Sequence, residues 1–132
     1  MKQNKELNDL VFLALDHGID SVRDGGNLVP FTLAKTKGKP ELIRVMVENL
    51  QDSETATKEI VFERKPKMYA IAYDGYITID EKKYDAIIVE AGEKGKHKAL
   101  KFCQRYIPKK LLRKFGTVGN AMYLGKVKNV LM

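Results

Sequence analysis

Few residues of this chain could carry out nucleophilic catalysis. Cys103 is the single cysteine, and His17 and His97 are the two histidines. A reactive thiol needs a neighbouring base or cation that lowers its pKa. Cys103 instead lies within the apolar pattern 100–104, which predicts a small buried core residue. The sequence therefore favours a protein without catalytic activity, and we predict no catalytic residue.

Acid–base and metal chemistry are also poorly supported by the spacing. Two histidines and one cysteine at distant positions form no metal-ligand pattern, so we predict no metal site and no cofactor. The segment 92–97, Gly-Glu-Lys-Gly-Lys-His, has its glycines too close together for a phosphate loop and is predicted to form a turn. Glu90 and Glu93 could act as paired acids in a hydrolase or transferase, which would need an enclosed pocket around both side chains.

Tyrosines and charged residues are better candidates for binding. Four of the six tyrosines fall between 69 and 84, and Tyr69 and Tyr73 would share one face of a strand. Tyrosine and arginine are favoured anchors at protein interfaces, and tyrosine beside lysine can also stack on bases. The residues predicted to bind a partner or ligand lie at predicted hairpin ends and on one central strand. They are Tyr73, Asp74, Tyr76, Asp85, Glu90, Glu93 and Arg105.

The net charge of +7 is unevenly distributed along the chain. Residues 1–93 hold all 17 acids and 13 of the 24 basic residues, whereas residues 94–132 hold 11 basic residues and no acid. Such asymmetry indicates either an anionic partner or a basic face that neutralises acids of the first two-thirds after folding. The predicted basic patch consists of Lys94, Lys96, Lys98, Lys101, Lys109, Lys110, Arg113 and Lys114, with Lys126 and Lys128 further along the same region.

Length and composition exclude several classes of protein. With 132 residues, of which 44% are apolar and 31% charged, the chain can bury a core and is predicted to form a single domain, 1–132. A single cysteine excludes a disulfide scaffold, and no apolar run reaches the roughly 18 residues of a membrane span. The basic amphipathic spacing at 99–115 is interrupted by Pro108, which argues against a membrane partner. We predict a cytoplasmic protein.

The hydrophobic periodicity of the first half predicts two helices and two strands. Apolar residues at helical spacing predict a first helix from Leu7 that ends before Gly18, followed by a loop at 20–27. Strands are predicted at 28–35 and 41–47, the first at a sheet edge because of Pro30, with a turn at 37–40 between them. A second helix is predicted at 50–64 and ends before Pro66.

The next forty residues have the alternation typical of an antiparallel meander. Asp74-Gly75 is a hairpin signal, but we favour one bent strand over 68–80, with a bulge at Gly75 and a turn at 80–82. Strands follow at 83–90 and 99–107, with a turn at 92–95 between them. After Pro108 we predict a short helix at 109–115 and a strand or helix at 121–130. The order α-β-β-α-β-β-β plus a C-terminal extension predicts an α+β fold, with a mostly antiparallel sheet and helices packed on one face.

Three short stretches carry a resemblance to other proteins. The stretches 73–78, 84–93 and 104–106 resemble segments of small bacterial proteins of no known activity, so the resemblance implies no catalytic residue. The element order is similar to that of roadblock and profilin-like modules, which are scaffolds and binding domains. We therefore predict a non-catalytic protein-interaction or ligand-binding module, with a protein partner or a homodimer; roles such as an antitoxin or an immunity protein fit this class. The alternative is a nucleic-acid-binding protein that uses the basic region 94–132.

Overall fold

Two helices and six strands make up the fold in the computed structural model, which describes residues 5–44, 50–110 and 112–131. The strands form one antiparallel sheet in the order β2-β1-β3-β4-β5-β6. The α+β class is therefore confirmed, and the C-terminal extension is a sixth strand. The bounds are α1 Lys5–Val22, β1 Phe31–Lys35, β2 Glu41–Arg44, α2 Leu50–Arg64, β3 Met68–Ile79, β4 Lys82–Glu93, β5 Lys98–Ile107 and β6 Gly116–Lys128.

β3 and β4 form the long central hairpin of the sheet. They pair over 12 residues each without a register shift. Asp80 and Glu81 reverse the chain with positive φ values of 50° and 67°, as a two-residue hairpin turn requires. The predicted single long strand is confirmed, but the predicted bulge at Gly75 is wrong, because Gly75 stays in register opposite Ala86.

α1 packs on the sheet through its apolar stripe and is longer than predicted. The helix continues through Gly18 because this residue lies against β4: a Cβ at Gly18 would be 2.5 Å from Ile87 Cγ2. The helix ends at Val22, where Gly25, with a φ of 88°, donates its N–H to the Val22 carbonyl at 3.1 Å. The predicted end before Gly18 is thus wrong. The buried stripe consists of Leu7, Leu10, Val11, Ala14, Leu15, Ile19 and Val22.

α2 lies on the opposite face of the sheet from α1. Ala70 and Ala72 belong to the core under α1, whereas Val61 of α2 packs with Tyr69 and Ile71. Alternate residues of a strand point to opposite faces, so the two helices enclose the sheet between them. The sequence predicted both helices on one face, because helical periodicity identifies an apolar stripe but not the side of the sheet that it meets.

Several strand boundaries also differ from the prediction. β1 pairs with both β2 and β3, so its predicted edge position is wrong, and Pro30 precedes the strand. The last three residues of the predicted strand 41–47 lie outside the described residues. β4 extends to Glu93, which moves the predicted turn from 92–95 to 94–97. The described residues of 109–115 form no helix: Lys110 and Arg113 form an isolated bridge, and Leu112 lies in a turn.

The strand β6 completes the sheet at the edge next to β5. It pairs with β5 from Lys98↔Lys128 to Ile107↔Gly116, with two register shifts. These irregularities bend the outer strands. Within the described residues, no helix is long and apolar enough to cross a membrane.

Candidate functional site

Four of the predicted binding residues line one cavity along the middle of the central hairpin. Tyr73, Asp74, Tyr76 and Asp85 line a cavity of about 410 Å³, and Leu28 and its neighbours in the loop before β1 line its other side. Tyr76 lies directly opposite Asp85 in the β3–β4 pair. The antiparallel register therefore brings together residues that the sequence placed at one hairpin.

The side chain of Asp74, which lines this cavity, accepts a hydrogen bond from a tyrosine of another strand. Tyr106 Oη donates a hydrogen bond to Asp74 Oδ1 at 2.8 Å. Burial raises the pKa of Asp74, the bond from Tyr106 lowers it, and the charge of Asp85 raises it again. Burial and the bond to Asp74 raise the pKa of Tyr106, so this hydroxyl stays a donor at neutral pH. Sequence reasoning missed Tyr106, because only the order of the strands places it beside Asp74.

Glu90 and Glu93 do not form a catalytic pair. Glu90 lies opposite Ile71 and accepts a hydrogen bond from Tyr73 Oη at 2.6 Å, on the face away from α1. Glu93 lies opposite Met68, on the face toward α1. Their side chains therefore point to opposite sides of the sheet, which removes the geometry that a hydrolase or transferase would need.

Arg105 packs against the sheet and does not reach the cavity. Its Cζ lies 4.9 Å from the ring centroid of Tyr84, and a Cβ at Gly119 would be 2.9 Å from its Nη2. Its Nε is buried without a hydrogen-bond partner among the described residues. Arg105 is therefore not part of this cavity, although the sequence predicted it as a binding residue together with the four residues that line the cavity.

Cys103 is a buried residue, as the sequence predicted. Burial raises the pKa of its thiol, while Arg105 and Lys101 lower it. A raised pKa disfavours the thiolate, which is the nucleophilic form. In the described part of the chain, no group of three or more His, Cys, Asp and Glu residues has the arrangement of a metal site.

The basic residues of the last third lie along the outer strands and the two connections beside them. Among the residues that the structure describes, none of these eleven takes part in an ion pair. The cations of the described ion pairs all belong to the first two-thirds of the chain: Lys5, Arg23, Lys35 and Arg64. Among the described residues, contact ion pairs between this region and acids of the first two-thirds are therefore absent, although Lys101 lies directly opposite Glu90 in the β4–β5 pair.

Part of this charge lies on a strip of β5 and β6, on the sheet face against which α1 packs. Phe102 lies opposite Tyr123, with ring centroids 5.3 Å apart, and Lys98 lies opposite Lys128. Like charges in directly opposed positions destabilise a sheet. Tyr123 is 53% exposed. We call this surface the basic strip, and it consists of Lys98, Leu100, Phe102, Tyr123, Lys126 and Lys128.

A groove of about 530 Å³ lies between α1 and the part of β5 and β6 that holds Gln104 and residues 117–121, beyond the Tyr123 end of the basic strip. Phe12 and Asp16 line it from the helix, and Gln104 and Ala121 line it from the sheet. Phe12 is 56% exposed. One feature of the sequence points to this surface: Phe12 and Leu13 are apolar but lie outside the buried apolar stripe of α1. We call the exposed side of the helix the outer face of α1, and it consists of Asp9, Phe12, Leu13, Asp16 and Asp20.

Three exposed features thus stand out: the Asp74 cavity, the basic strip and the outer face of α1. No protein family, curated protein or solved structure was found to match this chain. Function is therefore inferred from these surfaces.

Proposed function

We propose that this protein is a non-catalytic interaction module that forms a homodimer, in which the outer face of α1 from one copy covers the basic strip of the other. One observation carries the proposal: the chain presents two exposed surfaces of opposite charge, each with an exposed aromatic side chain, side by side on one face of the sheet. Phe12 belongs to the acidic surface, and Tyr123 lies at one end of the basic strip, opposite Phe102.

The dimensions of the sheet suit such an arrangement. α1 lies mainly over β3 and β4 and also contacts β5, which leaves β6 and the outer side of β5 beside it. An α-helix is about 10 Å across and strands are about 4.8 Å apart, so two strands offer roughly the width of one helix. Because the two surfaces are neighbours, a two-fold axis between copies can place each helix on the other copy's strip. Such an isologous interface uses both surfaces twice and closes at two chains.

Apolar and charged residues contribute differently to this interface. Burial of Phe12, Leu13 and Tyr123 supplies affinity, at about 1.5–3 kcal/mol for a fully buried side chain of this size. Asp9 and Asp20 already face Lys5 and Arg23 on the helix surface, but exposed pairs of this kind contribute little. Opposed charges across the interface mainly determine orientation and partner choice.

Complementary charge reversals test the pairing directly. One variant carries Asp9→Lys and Asp16→Lys, and the other carries Lys126→Glu and Lys128→Glu. Each alone should run as a monomer in gel filtration with light scattering, because like charges would face each other. An equimolar mixture should recover twice the 15.0 kDa chain mass, because each reversed surface then meets a complementary one. A mixture that stays monomeric would exclude this interface.

A matched pair of phenylalanine variants separates the interface from general surface effects. Phe12→Asp should give a monomer, whereas Phe62→Asp, at a 62% exposed phenylalanine on α2, should keep the dimer mass. Wild-type protein that remains monomeric at about 100 µM would contradict the proposal, since association is governed by concentration.

Nucleic-acid binding through the basic region is a second candidate function. It is favoured by the fact that none of the described basic residues of this region takes part in an ion pair. Single-stranded RNA could place phosphates on the lysines and a base on Tyr123. Affinity for a labelled RNA, measured by fluorescence anisotropy, should then fall steeply between about 50 and 200 mM salt. The variant with Asp9→Lys and Asp16→Lys distinguishes RNA binding from dimerisation, because it should be monomeric in gel filtration yet still bind RNA.

The predicted cytoplasmic location belongs to the same proposal. The single cysteine is free and buried, which suits a reducing compartment. A role as one partner of a bacterial gene pair, such as an antitoxin or an immunity protein, stays a prediction.

A further inference from the structure

The connection between β5 and β6 holds a leucine at the tip of a tight turn. Lys110 and Arg113 pair as an antiparallel bridge. Lys110 N–H donates to the Arg113 carbonyl at 2.9 Å, and Arg113 N–H donates to the Lys110 carbonyl at 3.1 Å. Leu112, between them, is 98% exposed. The paired backbone thus holds an apolar side chain almost wholly in solvent.

Phe115 anchors the base of this turn to the rest of the molecule. Its ring stacks on Tyr106 with centroids 5.8 Å apart, and the Arg23 guanidinium lies 5.5 Å from its centroid. Gly116 then begins β6. The exposed tip is therefore carried on a base that packs against both α1 and the sheet.

Basic residues surround the exposed leucine. The turn carries Lys109, Lys110, Arg113 and Lys114, all of them exposed, and none of the four pairs with an acid of the described chain. The sequence argument against a membrane partner concerned a basic amphipathic helix over 99–115, which Pro108 and the strand-like Phe102 and Tyr106 disfavour. The described residues of this stretch form β5 and a turn and no helix, so that argument does not bear on what the turn can bind.

We propose that this leucine-tipped basic turn binds the surface of an anionic lipid bilayer. Leu112 would enter the boundary between headgroups and acyl chains, and the four cations would lie among the anionic headgroups. A nucleic acid would offer phosphates to the cations but no apolar medium to the leucine, so a bilayer fits both parts of the turn. This surface is separate from the outer face of α1 and does not depend on the dimer.

Vesicle sedimentation tests the proposal. The protein should bind vesicles of phosphatidylcholine with about one-third phosphatidylserine and should not bind phosphatidylcholine alone. Replacing the four cations with glutamine should weaken binding several hundredfold, because each contributes about fivefold near an anionic surface. Leu112→Ser should weaken it about tenfold. The matched control replaces Lys37, Lys39, Lys58 and Lys67 with glutamine, removes the same charge from elsewhere, and should change binding by less than about twofold.

A single tryptophan then reports on the tip itself. The chain contains no tryptophan, so the fluorescence of Leu112→Trp comes from that position alone. Its emission should shift to shorter wavelength on anionic vesicles and should be quenched by lipids brominated on the acyl chain. Phe62→Trp, on the exposed side of α2, should show neither effect. Unchanged emission at 112 while vesicles bind, or equal losses in the two four-residue variants, would overturn the proposal, and so would binding to RNA without binding to vesicles.

Discussion

Asp74 illustrates how a single residue acquires its properties from neighbours that are distant in sequence. Tyr106 donates to it from 32 positions away, and Asp85 repels it from the paired strand. Burial is the largest cause of its raised pKa. A carboxyl group whose pKa is higher in the folded state binds its proton more tightly there. The ionised form of Asp74 therefore lowers the free energy of unfolding.

Asp74→Asn should raise the free energy of unfolding at about pH 7. The amide keeps an oxygen for Tyr106 but removes a partly buried charge that faces Asp85. Wild-type protein should lose stability as the pH rises from the ordinary carboxyl range near 4 through the raised pKa of Asp74. The variant lacks this loss, so the difference should vanish in acid. Urea unfolding across this pH range measures it, and Asp24→Asn in the exposed loop is the control. A variant that is less stable at neutral pH would contradict the prediction.

The residues of the Asp74 cavity were only partly predictable. Tyr73, Asp74 and Tyr76 are close in sequence, and Asp85 joins them through a hairpin that local alternation predicts. Tyr106 comes from β5, which the predicted meander already places beside β4. Its contact with Asp74 on β3 depends on the register of β5 against β4 and on the direction of its side chain, which local spacing does not give, so the hydrogen-bond donor of the cavity could not be found from the sequence.

At the scale of elements, the segment after β6 connects neighbouring parts of the sheet through hydrogen bonds. Asn129 is buried, and its Nδ2 donates to the carbonyls of Glu93 and Lys96, both at 2.9 Å. Val130 N–H donates to Tyr69 Oη at 3.1 Å, and burial raises the pKa of Tyr69 to about 12. Hydrogen bonds from Asn129 and Val130 thus link the segment after β6 to the β4–β5 connection and to β3.

Asn129→Ala should lower the free energy of unfolding by about 2 kcal/mol, because two carbonyl groups lose their donor in a buried site. Hydrogen exchange should also speed up at Leu131, whose N–H donates to Asn129 Oδ1, and at Val130, whose N–H donates to Tyr69 Oη on β3. Asn120→Ala, at an exposed asparagine of β6, should change neither quantity. Equal behaviour of the two variants would show that the segment does not stabilise the sheet end.

The elements also show where local patterns lose their predictive value. The bounds of α2 matched the prediction, 50–64, because Pro66 and the charges at the helix ends are local signals. The segment 109–115 was predicted as a short helix, but its described residues form a bridge and a turn. Its conformation depends on Phe115 docking on Tyr106 and on the return of the chain into β6, and both are tertiary events.

At the scale of the whole molecule, the opposite charges lie on neighbouring surfaces that do not contact each other through ion pairs in the described chain. If these surfaces associate between copies, the thermal midpoint of the wild type should rise by a few degrees between about 1 and 100 µM protein. Phe12→Asp should show a midpoint that is independent of concentration, whereas Phe62→Asp should behave like the wild type. A concentration-independent wild-type midpoint would indicate that no dimer forms in this range.

The sequence by itself determined the α+β class, the central hairpin, the second helix and the acid-free final third. These features follow from composition and from local periodicity, which a single chain segment expresses wherever it lies. Only the tertiary structure decided that the helices enclose the sheet, that Tyr106 meets Asp74, and that the basic residues of the final third form no ion pair with the acids of the described chain. Those outcomes depend on how the strands are paired and on which face of the sheet each element meets. Local residue spacing does not determine such contacts, because they join residues that are distant in sequence.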